Sequence, residues 1–155
     1  MCEQLEQASG KRKDKWGQAR HERRMNYLRQ VFADARFRQK LRYGVFHQVG
    51  DFDAATVVTI AKAISWRRPT GKYTTTVYVD GLSKTKRREY SLRLRRLHLP
   101  VRHVRGVARD ESDALTRLAD AIAGFVRDAL EGEAPEVEAL FEKVRAEGVL
   151  VELGE

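Results

Sequence analysis

The stretch that decides the fold is Tyr73-Thr74-Thr75-Thr76-Val77-Tyr78-Val79-Asp80-Gly81. Thr, Val and Tyr fit a half-buried pleated surface, so Tyr73 to Asp80 predicts a strand. Gly81 and Ser83 lead into a helix from Lys84 to about Leu97, with Tyr90, Leu94 and Leu97 inward. Pro100 ends that helix, and Val101 to Val107 reads as a second short strand. Strands joined by a crossover helix pair in parallel, which makes the chain α/β.

The alternation continues outward. Upstream, Met25, Leu28, Phe32 and Ala35 stripe a helix from about Gln18 to Lys40, and Leu41 to Val49 switches to a period of two, with His47 among its residues. Asp53 is placed as the N-cap of a helix burying Val57, Ile60, Ala61 and Ile64. Pro69-Thr70-Gly71 is a turn. Downstream, Ala114 to Leu130 reads as a helix with Leu115, Leu118, Ala119, Ile122, Ala123 and Val126 on one stripe. Pro135 and Gly148 bracket a last helix facing inward through Val137, Leu140, Phe141 and Val144, and Val149 to Leu153 is a final short strand.

Composition sets the outer bounds. A length of 155 residues suits one domain: a basic flexible arm at 1–16, with Gly10-Lys11-Arg12-Lys13-Asp14-Lys15, and a folded domain at 17–155. The longest apolar run, Ala121 to Val126, is far below the ~20 residues of a membrane span. Met1-Cys2-Glu3-Gln4 is polar and unlike a secretory signal, so a cytoplasmic location is expected. A single cysteine, Cys2, excludes an internal disulfide and a cysteine zinc site. His21, His47, His98 and His103 have no metal-ligand spacing, and Ser83, Ser91 and Ser112 lack a nucleophile elbow. No dinucleotide or phosphate-loop glycine motif occurs.

Charge is unevenly distributed. Residues 1–109 hold 26 Lys and Arg against 9 Asp and Glu, a net of +17. Residues 110–155 hold 4 against 13, a net of −9. A cationic body points to a polyanion partner, nucleic acid above all. Lys84, Lys86, Arg87, Arg88 and Arg95 on the third helix are the candidate contacts, with a solvated basic face as the bland reading. Trp16, Trp66, Tyr73 and Tyr78 could stack on bases, but their spacing does not single them out and core packing explains them better.

Two acids could carry chemistry. Asp120 borders the apolar stripe of its helix, where a carboxylate needs a partner or a metal. Asp80 ends its strand, where functional residues of α/β sheets gather, although Asp80-Gly81 is also an ordinary turn pair. Brought together, the two could hold Mg²⁺ or Mn²⁺, and two such ions about 4 Å apart can drive phosphodiester hydrolysis. Asp110, Glu111 and Asp113 are better explained as acids capping the Asp120 helix.

Val77-Tyr78-Val79-Asp80 followed by Leu118-Ala119-Asp120-Ala121-Ile122-Ala123-Gly124 resembles the C-terminal part of the domain-of-unknown-function 3800 family. The likeness covers about Leu41 to Leu130 and rests mainly on the Ala-Asp-x-x-Ala-Gly element, with Arg117 where the family often has Gln. Members resemble ribonuclease H-like nucleases and are common in bacteria and their mobile elements. The resemblance implies a ribonuclease H-like mixed sheet flanked by helices, with Asp80 and Asp120 as catalytic and metal-binding acids. The family's opening Asp-Glu-Ser strand has no counterpart here, since Asp110-Glu111-Ser112 comes too late. The likeness therefore implies an incomplete domain without its first strands, and a metal site without its bridging carboxylate. Three functions follow as expectations: a metal-dependent nuclease, a non-catalytic nucleic-acid-binding remnant, or an interaction module. The last would complete an exposed sheet edge with a partner or a second copy.

Overall fold

A computed structural model describes residues 2–8, 20–66, 71–107, 113–132 and 134–154. The chain forms two compact units, one from Met1–Tyr43 with Asp113–Glu152, the other from Gly44–Ser112 with Leu153–Glu155. The α/β class is observed. Where one mixed sheet is expected, the described strands form two parallel pairs, one in each unit.

The first unit holds α1 (Cys2–Ala8), α2 (His21–Ala33), β1 (Leu41–Tyr43), α5 (Ala114–Leu130), α6 (Pro135–Ala146) and β4 (Leu150–Glu152). Its core is aromatic at the centre. Phe125 is fully buried, with Phe32 at 5.4 Å and Phe141 at 5.9 Å between ring centroids, and Tyr43 extends the chain of rings to Phe141 at 5.8 Å. Tilted and edge-on rings at this spacing add to the gain from burial itself. The strand expected to reach Val49 stops at Tyr43 because its partner β4 is only three residues long, and the last register pair is Tyr43 with Glu152. The helix expected to reach Lys40 ends at Ala33. Asp34 leaves the helical conformation, and its carboxylate accepts the Arg36 N–H to start a single 3-10 turn at Ala35–Phe37.

The arm expected at 1–16 is, over Cys2–Ala8, a packed helix. Glu6 there is buried, and its two carboxylate oxygens accept from Arg117 at 2.7 and 2.6 Å. A seven-residue helix has little stability of its own, so this forked ion pair and the burial of Cys2 hold it. Residues 9–16 lie outside the described residues.

The second unit is α3 (Phe52–Trp66), β2 (Thr75–Asp80), α4 (Lys84–Arg96) and β3 (Val101–Val107). Asp51, not Asp53, caps α3, its carboxylate accepting the Ala54 N–H at 2.9 Å. β2, α4 and β3 form the expected strand–helix–strand crossover, with Val77 opposite Val104 and Tyr78 opposite Arg105. One sheet face is covered: Val57, Val77, Tyr90, Leu94, Leu99 and Val101 form the core, with Ile60, Ile64, Val79 and Val104 packed on it. Gly106 lets the chain close, since a Cβ there would lie 2.2 Å from the Leu82 carbonyl oxygen. Among the described residues, no helix is long and apolar enough to cross a membrane.

Candidate nucleic-acid interface

The basic helix α4 has two faces with different jobs. Ser83 starts it by accepting the Lys86 N–H at 3.3 Å, satisfying one of the free donors of the first turn. Tyr90 and Leu94 then bury one face in the core. Lys84, Arg87, Arg88, Ser91, Leu92 and Arg95 recur at i, i+3, i+4, i+7, i+8 and i+11, so they share a second face. That face, with Arg102, His103 and Val104 of β3, lines an open groove of about 390 Å³.

Among the described residues, five permanent cations and one histidine line this groove, and no acid does. Lys84, Arg87, Arg88 and Arg102 make no ion pair among the described residues. Arg95 is fixed by donating to the carbonyls of Val101 at 3.3 Å and Arg102 at 3.1 Å, which aligns its guanidinium along β3. Arg87 Nε is shielded from water and has no acceptor among the described residues. A buried donor without a partner is costly, and an incoming anionic oxygen would remove that cost.

Lys86, expected among the contacts, is directed elsewhere. Its ammonium lies 2.5 Å from Asp53 Oδ2, while the Tyr90 hydroxyl donates to Asp53 Oδ1 at 2.8 Å. The hydrogen bond from Lys86, then that from Tyr90, holds the Asp53 carboxyl below its usual range. This cluster ties α3 to α4. The reading from sequence missed Arg102 and His103, which reach the groove from the edge of β3. It also missed Ser91 and Leu92, although their spacing completes the stripe begun by Lys84.

Asp80 and Asp120 belong to different units. Asp80 is exposed at the carboxyl end of β2, and Gly81 follows with a φ of 63°, donating its N–H to the Val107 carbonyl at 3.1 Å. That is the turn geometry for which Asp-Gly is suited. Asp120 is exposed on α5, at the border of its buried face, beside the buried Arg117, Ala121 and Gly124. The buried stripe of α5 runs instead through Leu118, Ala121, Ile122, Phe125 and Ala129, while Leu115, Ala119 and Ala123 are not buried. The large ring of Phe125 outweighs two alanines in deciding which face turns inward. The rotation brings a different acid inside: Asp128 is 2% exposed and pairs with Arg127 at 2.8 Å and Arg24 at 3.3 Å.

No group of three or more His, Cys, Asp or Glu able to hold a metal ion occurs among the described residues. Asp113 caps α5 by accepting the Leu115 N–H at 2.5 Å, the structural role expected for it. Asp110 and Glu111 lie outside the described residues. Compared with family models, curated proteins and solved structures, the chain matches none.

Proposed function

We propose that the chain binds nucleic acid without cleaving it, holding the phosphate backbone in the α4–β3 groove. The observation that carries this reading is a helical stripe of cations that ends on a strand edge and includes no acid. Arg87, Arg88 and Arg102 present forked donors suited to phosphate oxygens, and Lys84 adds a point charge at the helix start. Neutralising phosphates releases their counterions, so the affinity should fall steeply with salt. Within this proposal the domain-of-unknown-function 3800 resemblance gives an origin in a ribonuclease H-like nuclease, with Asp80 and Asp120 as its inherited acids. Mg²⁺ and Mn²⁺ are then dispensable for binding.

Fluorescence anisotropy with labelled DNA and RNA oligonucleotides tests it. Arg87→Glu/Arg88→Glu should weaken binding at least tenfold and flatten the plot of log affinity against log salt. Asp80→Asn and Asp120→Asn should leave binding intact. Binding that ignores salt or the double reversal would overturn the groove. Metal-dependent cleavage lost in Asp80→Asn would instead restore the nuclease reading.

A further inference from the structure

We infer that the uncovered face of the β2–β3 pair is a stacking platform for the bases of a single strand whose phosphates lie in the α4–β3 groove. This inference rests on the groove reading and adds the form of nucleic acid that is bound.

The two faces of this sheet differ sharply. Val77, Val79, Val101 and Val104 face the core that α3 and α4 supply. Strand alternation sends Thr76, Tyr78 and Asp80 of β2 to the opposite face, and the register places His103 opposite Thr76 and Arg105 opposite Tyr78. All five are exposed. Tyr78 is 44% exposed at the centre of its strand and makes no ring contact or hydrogen bond among the described residues.

An open, apolar ring beside a guanidinium is what an unstacked base needs. Every base has a π-face, so an aromatic platform serves any sequence, and a neighbouring Arg adds cation–π attraction. Arg105 stands directly across from Tyr78, at the usual strand separation of about 4.8 Å. His103 belongs both to this face and to the groove lining, so the phosphate path and the platform meet at one residue. Asp80 lies at the far end of this face, opposite Val107, which is buried and ends the open part of the face. It repels phosphate and so bounds the platform on that side. A duplex keeps its bases stacked inside and can use the groove but not the platform, which makes single strands the favoured ligand.

The experiment compares single-stranded and duplex oligonucleotides of equal length, DNA and RNA, against full-length wild type, Tyr78→Ala, Tyr78→Phe and Arg87→Glu/Arg88→Glu. Circular dichroism and thermal melting verify that each variant folds, which an exposed side chain such as Tyr78 should not disturb. Tyr78→Ala is expected to weaken single-strand binding about tenfold and leave duplex binding unchanged. Tyr78→Phe, which keeps the ring, should bind like wild type. Oligonucleotide addition should quench tyrosine fluorescence in the wild type and less so in Tyr78→Phe. Full single-strand affinity in Tyr78→Ala, alongside lost affinity in the double reversal, overturns the platform and leaves the groove standing. Equal loss of duplex and single-strand binding in Tyr78→Ala also overturns the platform. If the double reversal itself binds normally, the groove reading fails first.

Discussion

The two units carry similar numbers of cations, 16 Lys and Arg in the first and 14 in the second. They differ in what accompanies them. The first also holds 15 Asp and Glu and the second only 7, giving net charges of +1 and +7. In the first unit a buried cation has a partner, as Arg117 has Glu6 and Arg24 has Asp128. In the second, the cations of one helical stripe and one strand edge face a groove that holds no acid among the described residues. Paired charge of the first kind determines how the chain packs. Unpaired charge of the second kind raises the energy of the folded protein and is relieved by an external anion. Under the proposed function, the difference separates cations that serve structure from cations that serve binding.

The largest effect should come from breaking a structural pair. Arg117→Ala would leave the Glu6 carboxylate, 6% exposed, without the two hydrogen bonds it accepts. Removing one member of such a buried pair typically costs about 3–5 kcal/mol. Urea unfolding should show that loss, and hydrogen exchange should speed up in α1, which Glu6 anchors. An apolar double replacement, Glu6→Leu with Arg117→Met, should recover most of the stability, because neither charge remains buried. A loss below about 1 kcal/mol would put Arg117 with ordinary surface ion pairs and weaken the contrast.

A smaller effect probes the scaffold of the second unit. Gly106→Ala puts a methyl group where the Leu82 backbone carbonyl sits, 2.2 Å from its oxygen. A backbone group cannot swing aside like a flexible side chain, so the turn after β2 must shift. Overpacking of this kind costs about 1–3 kcal/mol. The groove should suffer with it, since that turn delivers Ser83 to the start of α4. A lowered melting temperature together with weaker oligonucleotide binding is expected. Wild-type stability in Gly106→Ala would mean that the Leu82 turn is not fixed.

Much of this was readable in the residues, and the misses have physical causes. The β2–α4–β3 crossover followed from Val and Thr alternation, Pro100 and the Tyr90–Leu94 spacing. The basic face of α4 followed from its composition. Which cations of that face reach the groove did not, because Lys86 and Arg87 are neighbours in sequence and point about 100° apart on a helix. Asp53 draws Lys86 away, and that pairing spans two elements. On α5, Leu115, Ala119 and Ala123 complete a periodic stripe that the bulk of Phe125 overrides. The short β1 depended on the length of β4, a distant segment on which local periodicity carries no information.

The smallest expected change in stability has the opposite sign. Arg88 makes no ion pair among the described residues, and Lys84 lies one turn before it with the same charge. A like-charged i,i+4 pair destabilises a helix by about 0.2–0.5 kcal/mol. Ala also has the highest helix propensity. Arg88→Ala should therefore leave the melting temperature unchanged or slightly raised at low salt. The difference should shrink in 1 M salt, where screening acts over about 3 Å. The same substitution should reduce oligonucleotide affinity, so binding and stability move in opposite directions. Arg117 would show the reverse pattern, a large loss of stability. A fall of more than 1 kcal/mol in Arg88→Ala would reveal a structural partner for Arg88, and the groove cations would no longer stand apart from the cations that hold the fold.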